Sequence, residues 1–259
     1  MNSKSGLMAG KRGLIMGVAN DRSIAWGIAK AVYEAGAELA FTYQGEALQK
    51  RVKPLAESVG SSILAPCDVT DDASLDGTFA MVKQAWGGLD FVVHAIAFSD
   101  KEELKGKYVT TSRANFQQTL DISCYSFTAV AERARHLMPN GGSLLTLSYF
   151  GAERVMPHYN VMGVAKAALE ASVRYLAADL GGDNIRVNAI SAGPIKTLAA
   201  AGISGFSSIL QTYRDRAPLR RTVETAEVAD AAVFLLSPAG RAVTGEVLLV
   251  DGGYHAMGV

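Results

Sequence analysis

A chain of 259 residues with 49% hydrophobic and 19% charged residues can bury one large core, and that balance excludes a disordered polymer. Lys+Arg and Asp+Glu are equal at 25 each, so no basic field favours nucleic acid, and no apolar run approaches the roughly 20 residues of a membrane span. Only Cys67 and Cys124 occur, without a C-x-x-C pair, and the four histidines lack ligand spacing, so neither a disulfide framework nor a metal site is expected. Residues 1–12 carry lysines but no apolar core of signal-peptide length, and a cytoplasmic protein is expected.

Strand and helix patterns then alternate. Residues 13–16 are predicted as a strand and lead through a Gly/Asn/Asp/Ser turn into a helix from about 24 to 35. A strand over 39–43, a helix over about 46–59 and a strand over 62–65 follow. Next come a helix over 71–86, a strand over 89–94, one long helix over about 112–137 and a strand over 143–147. A helix from about 158 to 179, a strand over 185–190, a helix over about 226–236 and a strand over 247–250 complete the series. Alternating elements with apolar strands predict an α/β fold: a single Rossmann-type doubly wound domain over residues 1–259, its seven-stranded parallel sheet flanked by helices.

Such sheets bind ligands beyond the carboxyl ends of their strands, at the topological switch point. The phosphate site is therefore expected in the first strand-to-helix turn, where Gly17 permits close backbone approach and a helix starting at Ile24 offers free N–H groups. Ser23 is placed both to cap that helix and to contact a phosphate. The match to G-x-G-x-x-G is poor, since only Gly17 and Gly27 are glycine. After the second strand, Gln44 and Glu46 offer no positive charge for a 2′-phosphate, which favours NADH over NADPH. Asp68 and Val69 follow the third strand, where one suits the adenine amino group and the other the ring face; a helix cap is the competing reading of Asp68. Ala95-Ile96-Ala97 ends the fourth strand with small residues beside which a flat cofactor can lie.

Tyr159 and Lys166 lie seven residues apart in a segment rich in helix formers, almost two turns, so both project from one face. The ammonium group favours negative charge near the phenol and is suited to a ribose hydroxyl.

Together, Gly17-x5-Ser23-Ile24-Ala25-x-Gly27, Tyr43-Gln44, Cys67-Asp68-Val69, Tyr149-x9-Tyr159-x6-Lys166, Ala192-Gly193-Pro194-Ile195-Lys196-Thr197 and the final Val250-Asp251-Gly252-Gly253 resemble the enoyl-[acyl-carrier-protein] reductases, within the short-chain dehydrogenase/reductase superfamily. The likeness covers nearly the whole chain and is greatest to the NADH-using bacterial type inhibited by diphenyl ethers such as triclosan. Ordinary members of the superfamily space the pair Y-x-x-x-K, and here Met162 stands four before Lys166. The resemblance implies NADH-dependent reduction of a trans-2-enoyl thioester in fatty-acid elongation, with a 3-ketoacyl or other carbonyl reductase as the alternative. It implies that Tyr159 donates to the thioester oxygen, that Lys166 holds the nicotinamide ribose, and that Tyr149 lines the acyl pocket and helps deliver a proton; an aromatic packing residue at a strand end is the competing reading of Tyr149. Met162 is assigned to the same pocket. Ala97 departs from the family's usual glycine and is expected beside the nicotinamide and inhibitor.

Pro194 breaks regular structure after the sixth strand, leaving the Ile195 backbone to meet the nicotinamide carboxamide and Thr197 to reach the pyrophosphate. Small apolar residues follow, and residues 195–212 read as a lid, with Ile203 and Phe206 facing the acyl chain; an ordinary buried helix is the other reading. Lys196, Arg214, Arg216, Arg220 and Arg221 form a basic concentration suited to an acidic acyl carrier protein, or simply a solvated surface. The last strand and its Asp-Gly-Gly end resemble the family's subunit contact, which implies a homotetramer.

Overall fold

The computed structural model describes residues 6–198, 200 and 205–258. Seven strands form one sheet in the order β3-β2-β1-β4-β5-β6-β7, and every neighbouring pair is parallel. The strands are β1 (Arg12–Met16), β2 (Glu38–Tyr43), β3 (Ile63–Pro66), β4 (Phe91–His94), β5 (Gly142–Ser148), β6 (Ile185–Ala192) and β7 (Val247–Val250). Each predicted strand is present, displaced by no more than two residues at an end.

The side-chain period of two sorts each strand between two cores. Ile15, Phe41, Phe91, Val93, Leu145 and Ile190 face one side, where they pack on α1 (Ile24–Glu34), α2 (Gly45–Ser58) and α9 (Thr225–Leu236). Leu14, Met16, Val92, Leu144 and Val187 face the other, against α3 (Asp72–Trp86), α6 (Ser126–Arg135) and α7 (Asn160–Leu180). Because both faces are covered, the strands are apolar throughout rather than alternating. No helix of the described residues is long and apolar enough to cross a membrane.

The chain runs outward from β1 through β2 to β3, then returns to place β4 on the other side of β1. The switch point thus lies between the carboxyl ends of β1 and β4, where Met16 pairs with His94 and the Ala95 amide donates to the Met16 carbonyl at 3.0 Å.

Three departures from the sequence reading bear on the site. The long helix expected over 112–137 is α5 (Arg113–Leu120) and α6 joined by a π-helical segment, Asp121–Tyr125. That wider turn brings the buried Ser123 hydroxyl to the loop after β4, where it donates to the Phe98 carbonyl at 3.0 Å and accepts the Phe98 amide at 2.9 Å. A short helix, α4 (Lys101–Leu104), was not anticipated; Leu104 is buried at its end. A further helix, α8 (Phe206–Arg216), occupies the second half of the expected lid, and its apolar positions Phe206, Ile209, Leu210 and Tyr213 follow helical spacing.

Candidate active site

The first turn is built on Gly17. Its φ is +96°, and a Cβ there would lie 2.1 Å from the Ala95 carbonyl oxygen, so the β1 turn can close against β4 only with glycine at this position. Ser23 occupies the N-cap position of α1 but does not cap it, contrary to expectation. Its hydroxyl turns back to accept the amides of Ala19 at 3.0 Å and Asn20 at 3.1 Å, which stiffens the turn. The first-turn amides of α1, at Ile24 and Ala25, have no carbonyl partner within the helix and border the cavity. A glycine cradle closed to any Cβ and an unpaired helix N-terminus suit a pyrophosphate.

Gln44 follows β2 and donates through Nε2 to Asp68 Oδ2 at 2.9 Å. The Asp68 carboxylate also accepts the Thr70 amide at 3.0 Å and the Thr70 hydroxyl at 2.7 Å, and these bonds hold its pKa below the usual range. Asp71, not Asp68, caps α3, accepting the Ala73 amide. Gln44, Asp68 and the half-buried Val69 therefore form a neutral-to-acidic shelf beyond the rim of the cavity, at the carboxyl ends of β2 and β3. Glu46 lies in the first turn of α2.

A cavity of about 380 Å³ extends from Gly17 and Ile24 past Ile96 and Ala97 to Tyr149, Tyr159, Met162 and Lys166, and on to Ile195, Thr197 and Phe206. With Ser23, twelve of the predicted positions, from elements scattered over the chain, thus meet around one space, together with Met156, Leu198 and Ile209. Ile203 lies outside the described residues. The Thr197 hydroxyl accepts the Ala200 amide at 3.1 Å, so it also shapes the loop.

Lys166 is 6% exposed and donates from Nζ to the Leu147 carbonyl at 2.8 Å. Burial lowers its pKa to about 8, against the opposing influence of Cys124 and Glu170. Tyr159 stands at the N-cap of α7, between two residues with left-handed backbone, His158 at φ 61° and Asn160 at φ 42°. Such strain needs external support, and Asn160 Nδ2 supplies it by donating to the carbonyls of Leu104 at 3.0 Å and Gly106 at 2.9 Å. The Tyr159 ring meets the Tyr149 ring edge-on, with centroids 5.0 Å apart and planes at 76°. Gly151 makes room for it, since a Cβ there would lie 2.3 Å from the Tyr159 ring.

Burial pushes the Tyr159 phenol well above its ordinary value, and Tyr149 and Glu170 reinforce the shift. Burial likewise raises Tyr149 to about 12. Both phenols are consequently protonated at neutral pH and act as hydrogen donors. The expected help from the Lys166 ammonium does not outweigh burial, because Nζ is directed to the Leu147 carbonyl.

Two groups that sequence reading missed lie behind this pair. Ser148 donates to the Glu170 carboxyl, whose pKa burial raises, so that hydroxyl is engaged away from the tyrosines. His94 is fully buried between the hydroxyls of Thr146 at 3.2 Å and Ser126 at 2.8 Å, and burial lowers its pKa to about 3. The spacing Lys166-x3-Glu170 was visible on one helix; the reach of that carboxyl to Ser148 was not. Among the described residues no His/Cys/Asp/Glu group could hold a metal. Cys124 is half-buried in the π-helical segment, 3.6 Å from the Ser172 hydroxyl.

A family model described as enoyl-(acyl carrier protein) reductase matches residues 17–255. The chain belongs to that family. It is 65% identical over 259 residues to enoyl-[acyl-carrier-protein] reductase [NADH] 1 of Rhizobium meliloti (strain 1021), covering 100% of this chain and 95% of the relative. The Bacillus subtilis (strain 168) reductase [NADH] is 56% identical over 250 residues, with 96% and 97% covered. The solved reductase of Anaplasma phagocytophilum, in complex with NAD, is 60% identical with a TM-score of 0.95, covering 98% of this chain and 97% of that one. A Bacillus cereus reductase, solved with NADP+ and an indole naphthyridinone, is 54% identical with a TM-score of 0.96, covering 98% and 100%. In this family member the Gly17 turn and the tyrosine pair line one and the same cavity.

Proposed function

We propose that this protein is an NADH-dependent enoyl-[acyl-carrier-protein] reductase that reduces the trans-2 double bond of an enoyl thioester. The observation that carries the reading is the single cavity joining the Gly17 turn, the Tyr149–Tyr159–Lys166 group and an apolar wall from Met156, Met162, Phe206 and Ile209. NADH, when bound, supplies a hydride to the β-carbon of the enoyl group. The first-turn amides of α1 and Gly17 would hold its pyrophosphate, the Gln44–Asp68 shelf its adenosine, and the backbone at Ile96 and Ile195 its nicotinamide. Lys166, already fixed by Leu147, would give a second hydrogen to the ribose. Thr197 would sit against the pyrophosphate from the opposite side.

Negative charge then grows on the thioester oxygen, and the rate depends on a donor prearranged in a water-poor site. Tyr159 meets that need: its phenol stays protonated, its ring is braced by Tyr149, and the strained backbone on either side is held by Asn160. Tyr149 lines the acyl pocket and can pass a proton towards the α-carbon. Residues 195–212, including α8, act as the lid over the acyl chain, since Phe206 and Ile209 reach the cavity from it.

The exposed Lys196, Arg214, Arg216 and Arg220 would attract the acidic acyl carrier protein, whereas Arg221 is occupied by Glu227 at 2.7 Å. The half-exposed, apolar β7 forms one edge of the sheet and supports the assignment of a homotetramer. A cytoplasmic location follows from the pools of NADH and acyl carrier protein that the reaction uses.

NADH oxidation with crotonyl and longer trans-2-enoyl thioesters, run beside NADPH and a 3-ketoacyl thioester, tests the reading. Turnover on the enoyl substrate that falls by about 100-fold in Tyr159→Phe supports it. Turnover on the 3-keto substrate alone would make the protein a carbonyl reductase.

A further inference from the structure

The helix α8 that brings Phe206 and Ile209 to the cavity carries Tyr213 one turn further along the same face. Tyr213 is fully buried yet does not line the cavity. Its ring lies flat on Tyr254, with centroids 3.9 Å apart and planes at 16°. Tyr254 in turn meets Phe150 edge-on at 5.9 Å, and Phe150 follows Tyr149 directly. Tyr254 begins the short turn after Gly253, which Asp251 holds by accepting the amides of Gly253 and His255, each at 2.9 Å. An aromatic series thus runs from the lid helix and the C-terminal segment to the back of the active tyrosines.

The polar atoms of this series are unusual. Among the described residues, the hydroxyls of Tyr149 and Tyr213 are the two buried side-chain polar atoms without a hydrogen-bond partner. They nevertheless sense each other, with Tyr213 easing the ionisation of Tyr149 and Tyr149 opposing that of Tyr213. Two unpartnered hydroxyls, one at each end of the aromatic series, are thus near enough to influence each other, and each can donate or accept. A packing role for Tyr213 would require only its ring and would leave a hydroxyl buried without purpose.

We propose that Tyr213 is a positioning residue for Tyr149: seating of α8 brings its hydroxyl into donation to the Tyr149 oxygen, which turns the Tyr149 hydrogen towards the cavity. The placement of α8 is thereby registered at the tyrosine pair. Position along the chain gives no hint of this, because 64 residues separate the two tyrosines. The inference rests on the enoyl-reductase reading for its catalytic consequence.

The test is a double-mutant cycle over wild type, Tyr213→Phe, Tyr149→Phe and the double variant, with phenylalanine preserving both rings. In enoyl-thioester reduction, Tyr213→Phe is expected to lower kcat about fivefold with the KM for NADH within about twofold, and to change nothing further once Tyr149 is phenylalanine. Equal loss in both backgrounds, or no loss, would overturn the proposal. Thermal unfolding of the same four proteins reads the pair without substrate. Where α8 is seated, each single variant leaves one buried hydroxyl without the partner the proposal gives it, so the double variant should be at least as stable as either. Additive changes in Tm would refute the pairing even if the enzyme's substrate had been misassigned, whereas wild-type inactivity on enoyl thioesters would count only against the functional reading.

Discussion

Lys166 should destabilise the folded chain at neutral pH, and the cost can be worked from its surroundings. The lysine is 6% exposed, faces no carboxylate within ion-pair distance among the described residues, and has its pKa lowered from 10.5 to about 8, chiefly by burial. That displacement corresponds to about 3 kcal/mol held against the charged form. Because the folded value lies below the unfolded one, the unfolded chain retains the proton between the two, and stability rises with pH across that window. From pH 7 to 9.5 the gain is about 2 kcal/mol. Below pH 8 the lysine is charged in both states and the full cost is present.

Lys166→Met removes the charge but leaves the Leu147 carbonyl without its partner, a loss of about 1 kcal/mol. The variant should therefore be more stable than wild type by about 2 kcal/mol at pH 7, with the advantage nearly gone at pH 9.5. Urea unfolding of both proteins in a Cys124→Ser background, at matched concentration and without cofactor, at four pH values from 7 to 9.5, measures the difference; Cys124 is replaced because its thiol feels Lys166, and the raised Cys67 and Tyr149 are common to both and cancel. A difference that stays constant over this range would mean that Lys166 does not lose its proton in the folded state, and the argument from burial would be wrong. The same variant should lose enoyl reduction, which would place this stability cost with function.

Two further predictions concern the cavity walls. Gly17→Ala places a methyl 2.1 Å from the Ala95 carbonyl at a φ of +96°, so stability should fall by about 2 kcal/mol or more and NADH affinity with it; an unchanged Tm together with unchanged NADH binding by fluorescence titration would show that the turn opens freely. Ala97 lines the cavity where the family resemblance implies glycine, and removing its methyl in Ala97→Gly should improve triclosan binding by about 1 kcal/mol, or roughly fivefold, with turnover retained. Equal inhibitor affinity in the two proteins would remove Ala97 from the inhibitor wall.

The architecture was legible because it rests on local rules. Apolar runs such as 247–250 and helix-forming stretches such as 160–180 declare their elements, and their alternation leaves little choice but a covered parallel sheet. Helical spacing singled out Tyr159 and Lys166 as a pair, although Tyr159 stands at the N-cap before a left-handed Asn160 and only the tertiary structure brings both to one cavity; the end of β1 made Gly17 the place to look for a phosphate. Tertiary structure decided what those groups do. Ser23 has the right identity and position for a cap, yet the turn takes its hydroxyl for Ala19 and Asn20. Lys166 could have acted on the phenol, but a strand carbonyl from Leu147 holds it and burial keeps Tyr159 protonated. The π-helical turn at Asp121–Tyr125 and the stacking of Tyr213 on Tyr254 leave no periodic trace, because each depends on a partner far away in the chain. Periodicity reports which face of an element is buried, whereas hydrogen-bond partners and ionisation depend on the groups that folding brings to that face.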